Sequence, residues 1–99
     1  MSVTVLMRVH VPDFERFRVA HEELMQRPAA AGFISSRLLI RDGDPGEVLL
    51  LQQWDSHEAF NAFADEVGDD FNRRAGTEDA AWDDSVWREA GTAFDRTAG

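Results

Sequence analysis

The sequence predicts an α+β sandwich of strand, helix, strand, strand, helix, strand order, and three observations predict it. Residues 3–11 alternate with period two, two later segments repeat aromatic and apolar residues at helical spacing, and two strand-like runs flank the turn "DGDPG". Ninety-nine residues suit one core, so 1–99 is read as a single domain.

The first strand is Val3 to Val11, with Val3, Val5, Met7, Val9 and Val11 on one face and Thr4, Leu6, Arg8 and His10 on the other. "VPDF" breaks it, and Asp13 is a helix N-cap. Phe14, Phe17, Ala20 or His21, Leu24 and Met25 then recur at helical spacing up to about Arg27. Pro28 and Gly32 in "RPAAAG" end that helix. Phe33 to Arg41 is the second strand and Glu47 to Asp55 the third. A hairpin centred on residue 44 would pair Arg41 with Glu47, Leu38 with Leu50, Ser36 with Gln52 and Ile34 with Trp54. Asp55 or Ser56 caps the second helix, with Glu58 three residues after Asp55 as in a capping box. Phe60, Phe63, Ala64 and Val67 form its buried stripe, and residues 67–76 read as a broken helical continuation. After the loop 77–84, "SVWREA" (85–90) is the last strand.

This order is the ferredoxin-like split βαβ sandwich, with both helices on one face of an antiparallel sheet. The opposite face still bears Leu6, Leu39, Leu49 and Leu51. Leucines there need cover, and a homodimer with sheets packed face to face is the simplest way to supply it.

Charge and composition exclude several functions. Nineteen acids against ten bases give a net charge of -9, and no basic stripe interrupts it, so nucleic acid is not an expected partner. No run approaches the ~20 apolar residues of a membrane span. The N-terminal segment alternates and contains Arg8 and His10, which reads as a strand and not a signal peptide. Without cysteine there is no disulfide, thiolate or cysteine-based metal chemistry, and a cytoplasmic location is expected. The three histidines are dispersed, the carboxylates do not fall at ligand spacing with them, and "GDPG" is a turn and not a phosphate loop.

The element order and the segment "EVLLLQQWDSHEAFNAF" (47–63) resemble the antibiotic biosynthesis monooxygenase family of dimeric α/β barrels. The shared pattern is a third strand ending in tryptophan, a short acidic-serine cap and an aromatic-bearing helix, and the resemblance spans roughly residues 3 to 90. It implies a small cofactor-independent monooxygenase acting on an aromatic polyketide-like or quinol substrate, with molecular oxygen as co-substrate. Superfamily members also include haem-degrading enzymes and isomerases, so two alternatives stand beside it. One is a non-catalytic dimer that binds a small apolar ligand or is purely structural. The other is a non-redox cyclase or isomerase.

Carried over residue by residue, Trp54 matches the tryptophan that works beside an asparagine and a tyrosine in polyketide-tailoring members. Here Leu50 and Phe60 stand at those partner places, and the chain has no tyrosine. In the haem-degrading branch the corresponding tryptophan and histidine fall at Phe63 and Arg73, so the expected iron ligand is missing and haem is not expected.

Cofactor-free oxygenation needs an apolar cavity, a base, and donors for a developing oxyanion. Trp54, Gln52 and Ser36 share a strand face roofed by Phe14, Phe17, Phe60 and Phe63. On this reading Trp54 stacks on the substrate while Gln52 and Ser36 hydrogen-bond it; the alternative is that the rings are simply core. His57, in the first turn of the second helix, is the candidate base, because the helix dipole there favours neutral imidazole. His21 borders the apolar stripe of the first helix, whereas His10 and Arg8 lie on the outer face, where they would meet an anion or the dimer partner.

Overall fold

The computed structural model describes residues 2–91, 94 and 96, so the single-domain reading of 1–99 extends over residues outside the described set. Six elements follow the expected order: β1 (Val3–His10), α1 (Phe14–Met25), β2 (Phe33–Arg41), β3 (Asp44–Trp54), α2 (His57–Ala75) and β4 (Asp83–Trp87). They form the ferredoxin-like α+β sandwich, with a four-stranded antiparallel sheet in the order β2-β3-β1-β4.

Strand registers define what each face presents. One inner row runs Leu38, Leu50, Met7, Asp84 across the four strands, and the next runs Ser36, Gln52, Val5, Val86. These rows lie on the face the helices pack against: Val5 is fully buried and Leu50 and Gln52 almost so, while Asp84 and Val86 at the β4 edge stay exposed. Leu6, Leu39, Leu49 and Leu51 share the outer face and are only half-buried, and Trp87 beside Thr4 is 57% exposed. Both faces are therefore apolar, while the helices cover one.

Two pairings differ from the sequence expectation. A bulge between Phe33 and Ser35 brings Phe33, not Ile34, opposite Trp54. A bulged residue reverses which neighbour points inward, and the larger ring takes the buried place while Ile34 is left 47% exposed. At the other end Arg41 pairs with Asp44 and not Glu47. Gly43, at φ 83, closes the tight turn, and the Asp44 carboxylate accepts the Gly46 N–H at 3.2 Å. Glu47 instead pairs with His10 on β1.

α1 starts where expected, with the Asp13 carboxylate accepting the Arg16 N–H at 3.2 Å. Ser56, not Asp55, caps α2, its hydroxyl accepting from the Ala59 N–H at 3.1 Å; Glu58 is therefore one residue early for a capping box. The segment 67–76 is not broken. α2 runs unbroken through Gly68 to Ala75, and Asp70 ties its last turns through Arg73 at 2.5 Å and Arg74 at 3.0 Å. Gly76, at φ 77, ends the helix, and the Arg16 guanidinium donates to the carbonyls of Arg73 and Arg74 at 2.8 and 2.9 Å. β4 begins two residues earlier than expected, which brings Asp84 onto the inner face opposite Met7.

Candidate functional site

Between α1, α2 and the inner sheet face lies an open cavity of about 430 Å³. Its apolar walls include Leu50, Phe60, Phe63, Phe71 and Trp82, and its polar points are His21, Gln52, Asn61, Asn72, Asp69 and Asp84. A cavity that is mainly apolar with a few convergent polar groups suits a small organic ligand.

A hydrogen-bonded chain reaches this cavity from behind. The Trp54 indole N–H donates to Gln52 Oε1 at 3.0 Å, Gln52 Nε2 donates to Ser36 Oγ at 3.2 Å, and Ser36 Oγ lies 2.9 Å from His21 Nε2. Trp54 is 0% exposed, wedged against Phe33, Phe60 and Phe63 at centroid separations of 5.3, 5.9 and 5.1 Å. β-strand periodicity sets Gln52 and Trp54 on one face, and the β2–β3 pairing brings Ser36 beside Gln52. Helical spacing from Phe17 then brings His21 down onto Ser36.

Of the residues the sequence singles out, Gln52, Phe60 and Phe63 line the cavity. Trp54 and Ser36 stand behind Gln52, so the indole meets the amide and not the open space. Phe17 is fully buried and packs edge-on against Phe71 at 5.4 Å, supporting the wall from the far side, and Phe14 packs on the core. His57 is the first residue of α2, exposed, and outside the cavity lining.

His21 and Asp84 do face the cavity. Burial lowers the His21 pKa below its ordinary value, against a small opposing pull from Glu22, so the ring is neutral at pH 7. Burial, and then the neighbouring Asp83 carboxylate, raise the pKa of Asp84. One signal for His21 was visible in the sequence: it occupies the Phe14, Phe17, His21, Leu24 stripe, where a polar ring must find a partner. Asp84 was hidden by the late start assigned to β4.

On the outer face, away from the cavity, His10, Asp44 and Glu47 bring ligand-capable atoms within 4.8 Å of one another, a grouping their separation in sequence concealed. Glu47 is already held by Arg8 at 2.9 Å, which lowers its pKa, and lies 3.5 Å from His10, so the group reads as an ion-pair network. No helix among the described residues is long and apolar enough to cross a membrane.

Comparison with known proteins agrees with this architecture. The chain is similar to the cofactor-independent oxygenase SnoaB from Streptomyces nogalater, at 19% identity over 92% of this chain and 95% of that one, with a TM-score of 0.67. It is also similar to Rv0793 from Mycobacterium tuberculosis, at 21% identity, 95% and 100% coverage and a TM-score of 0.68. A third similar structure is the monooxygenase from the gene ActVA-Orf6 of Streptomyces coelicolor, in complex with nanaomycin D, at 14% identity, 96% and 93% coverage and a TM-score of 0.68. At such identities these likenesses establish the shared fold. No curated protein matches in sequence. The sequence model of the family described as antibiotic biosynthesis monooxygenase, however, matches residues 1–75, and the chain belongs to that family.

Proposed function

We propose that this protein is a cofactor-independent monooxygenase whose cavity takes a flat aromatic, polyketide-like or quinol substrate. The observation that carries the reading is the polar chain that reaches the cavity at His21 and Gln52 amid aromatic walls. Aromatic side chains hold a flat ring system by stacking and edge contacts. The polar end meets the substrate oxygen on which charge develops.

With an anthrone as substrate, the step begins when a ring C–H bond breaks and its proton passes to the Asp84 carboxylate. A raised pKa makes that carboxylate a stronger base than an ordinary one. The electron pair delocalises onto the carbonyl oxygen, which His21 and Gln52 face. The anion passes one electron to molecular oxygen, and the resulting radical pair combines to a C–O bond. The peroxide anion takes the proton back from Asp84, and the hydroperoxide so formed loses water, leaving a quinone. Strands β4 and β2 are three strand spacings apart, about 14 Å across the sheet, with Asp84 one inner row away from the row of Ser36. Inward-reaching side chains leave a gap suited to a ring system with its acidic carbon at one end and its oxygen at the other.

The outer sheet face completes the proposal. Members of the family are commonly dimeric, and Leu6, Leu39, Leu49, Leu51 and Trp87 give that face apolar side chains, interleaved with Arg8 and Arg37, that a second copy would bury to close an α/β barrel. A cytoplasmic location and the absence of any nucleic-acid partner remain part of the same reading.

The test is oxygen uptake by the metal-free protein given a simple anthrone, with Asp84→Asn, Trp54→Phe and His57→Ala alongside. Uptake above the spontaneous rate, yielding a quinone and lost in Asp84→Asn, supports the assignment; His57→Ala asks whether that exposed ring contributes. Binding without uptake would favour the second reading, a ligand-binding or isomerising protein. That reading is favoured by Leu50 standing where tailoring relatives resembling this chain have a polar partner.

A further inference from the structure

We propose that Trp54, Gln52 and Ser36 form a positioning relay that keeps the His21 proton on Nδ1, so that the cavity engages its ligand by donating this N–H to a carbonyl or phenolate oxygen. The ligand half of this inference rests on the proposed oxygen-bearing aromatic substrate; the relay itself does not.

The argument is one of donor and acceptor accounting. An indole N–H can only donate. Trp54 Nε1 therefore requires an oxygen opposite it, which fixes the Gln52 amide with Oε1 toward Trp54 and Nε2 toward Ser36. That NH₂ group donates to Ser36 Oγ, which leaves the serine O–H free to donate in turn. Its neighbour at 2.9 Å is His21 Nε2. Ser36 Oγ has no other partner among the described residues. If Nε2 held the histidine proton, Ser36 would accept twice and its own O–H would have no bonded acceptor. A bare Nε2 satisfies every group in the chain, and a neutral imidazole with bare Nε2 bears its proton on Nδ1. One hydrogen bond's worth of bias favours that tautomer roughly fivefold.

The Nδ1 side is open. Among the described residues the fully enclosed side-chain polar atom without a partner is Trp82 Nε1, and no protein group bonds His21 Nδ1. His21 is only 8% exposed overall and lines the cavity, the space its free N–H is proposed to face. A donor at this point selects ligands that bring an acceptor oxygen. Trp54, which does not line the cavity, would then reach the ligand's environment only through the amide it orients.

The test reads the ring nitrogens of ¹⁵N-histidine-labelled full-length protein by two-bond proton–nitrogen correlation, with His10→Gln and His57→Gln used for assignment. The relay predicts unprotonated Nε2 and protonated Nδ1 for His21 at pH 7. In Ser36→Ala the hydroxyl that faces Nε2 is gone, and His21 should return to the Nε2-protonated form that a free imidazole prefers. Protonated Nε2 in the wild type, or Nε2 still bare in Ser36→Ala, would overturn the relay. For the ligand, 1,4-naphthoquinone should move the His21 Nδ1–H resonance downfield while naphthalene, of like shape without oxygen, should not. Equal effects of the two compounds would overturn the ligand assignment. Failure of oxygen uptake with the tautomer result intact would instead count against the monooxygenase reading alone.

Discussion

Replacing Trp54 by phenylalanine tests the junction between core and site. The indole is 0% exposed and makes two kinds of contact: rings on three sides, and one hydrogen bond to Gln52 at 3.0 Å. Phenylalanine keeps part of the ring packing but loses the N–H and a ring's edge. Leaving the Gln52 carbonyl buried without a donor costs about 1–3 kcal/mol. The smaller ring adds roughly 1–2 kcal/mol, less than the ~3–5 kcal/mol of full truncation to alanine. The expected loss is thus about 2–5 kcal/mol, a large part of the ~5–15 kcal/mol typical for a small domain. Urea unfolding followed by far-UV circular dichroism at fixed protomer concentration measures it, since association would otherwise shift the midpoint. A double-mutant cycle with Gln52→Leu isolates the hydrogen bond, with an expected coupling of about 1 kcal/mol or more. A Trp54→Phe loss below about 1 kcal/mol, or no coupling to Gln52, would refute the view that the indole holds the amide.

Three further outcomes follow from other parts of the molecule. The folded-state pKa of His21 is lowered, so between its ordinary value of 6.5 and the folded value the unfolded chain binds the extra proton. Stability conferred by neutral His21 is therefore complete above 6.5 and lost as pH falls toward the folded pKa; subtracting a His21→Asn unfolding series from the wild type should reveal it, with a slope no steeper than about 1.4 kcal/mol per pH unit. Gly32→Ala should destabilise more than Gly43→Ala in thermal unfolding. Both glycines have positive φ, but a Cβ on Gly32 would sit 2.7 Å from Ala59 Cβ, whereas Gly43 has open space. Equal losses of about 1–2 kcal/mol would mean that backbone strain alone matters. Leu51→Asp on the outer face should convert a dimer to monomer in sedimentation velocity, and a wild type that is monomeric at micromolar concentration would remove the barrel from the proposal.

The element order was legible because each signal is local: period two in β1, Asp13 before Phe14, and turn residues between β2 and β3. The register of the hairpin's middle was legible too, since Leu38 opposite Leu50 and Ser36 opposite Gln52 follow from counting outward from the turn. Its ends were not. The bulge that turns Phe33 inward in place of Ile34 is settled by which ring fits against Trp54, a tertiary contact that alternation does not encode. The unbroken α2 likewise depends on Asp70 reaching Arg27, Arg73 and Arg74. The candidate site was half legible. Ser36, Gln52 and Trp54 share a strand face by simple parity, and Phe60 and Phe63 face them by helical spacing. Joining His21 to that face needs the packing of α1 over β2, and Asp84 needs the register of β4, both contacts between elements far apart in sequence.

The position of Trp54 bears on how such a site tolerates change. A side chain that contacted the ligand directly could be altered to suit another substrate without much effect on folding. An indole enclosed by Phe33, Phe60 and Phe63, with its one polar atom committed to Gln52, has no such freedom. Any substitution there both loosens the core and releases the amide, so stability and ligand geometry move together. Residues on the cavity side of the chain face a different constraint. Leu50, Asn61 and Asn72 line the space without belonging to the hydrogen-bonded chain, and changing them alters shape and polarity while Trp54, Gln52, Ser36 and His21 keep their order. Substrate preference should accordingly be tuned through that second group, and Asn61→Leu is the informative case. Asn61 is exposed and lines the cavity, so the change removes a polar point from the wall without opening the core or touching the relay. Weaker binding of an oxygen-bearing aromatic by fluorescence titration, with the unfolding midpoint changed far less than in Trp54→Phe, is the outcome this division of roles requires; a comparable collapse in stability would show that the two groups are not separable.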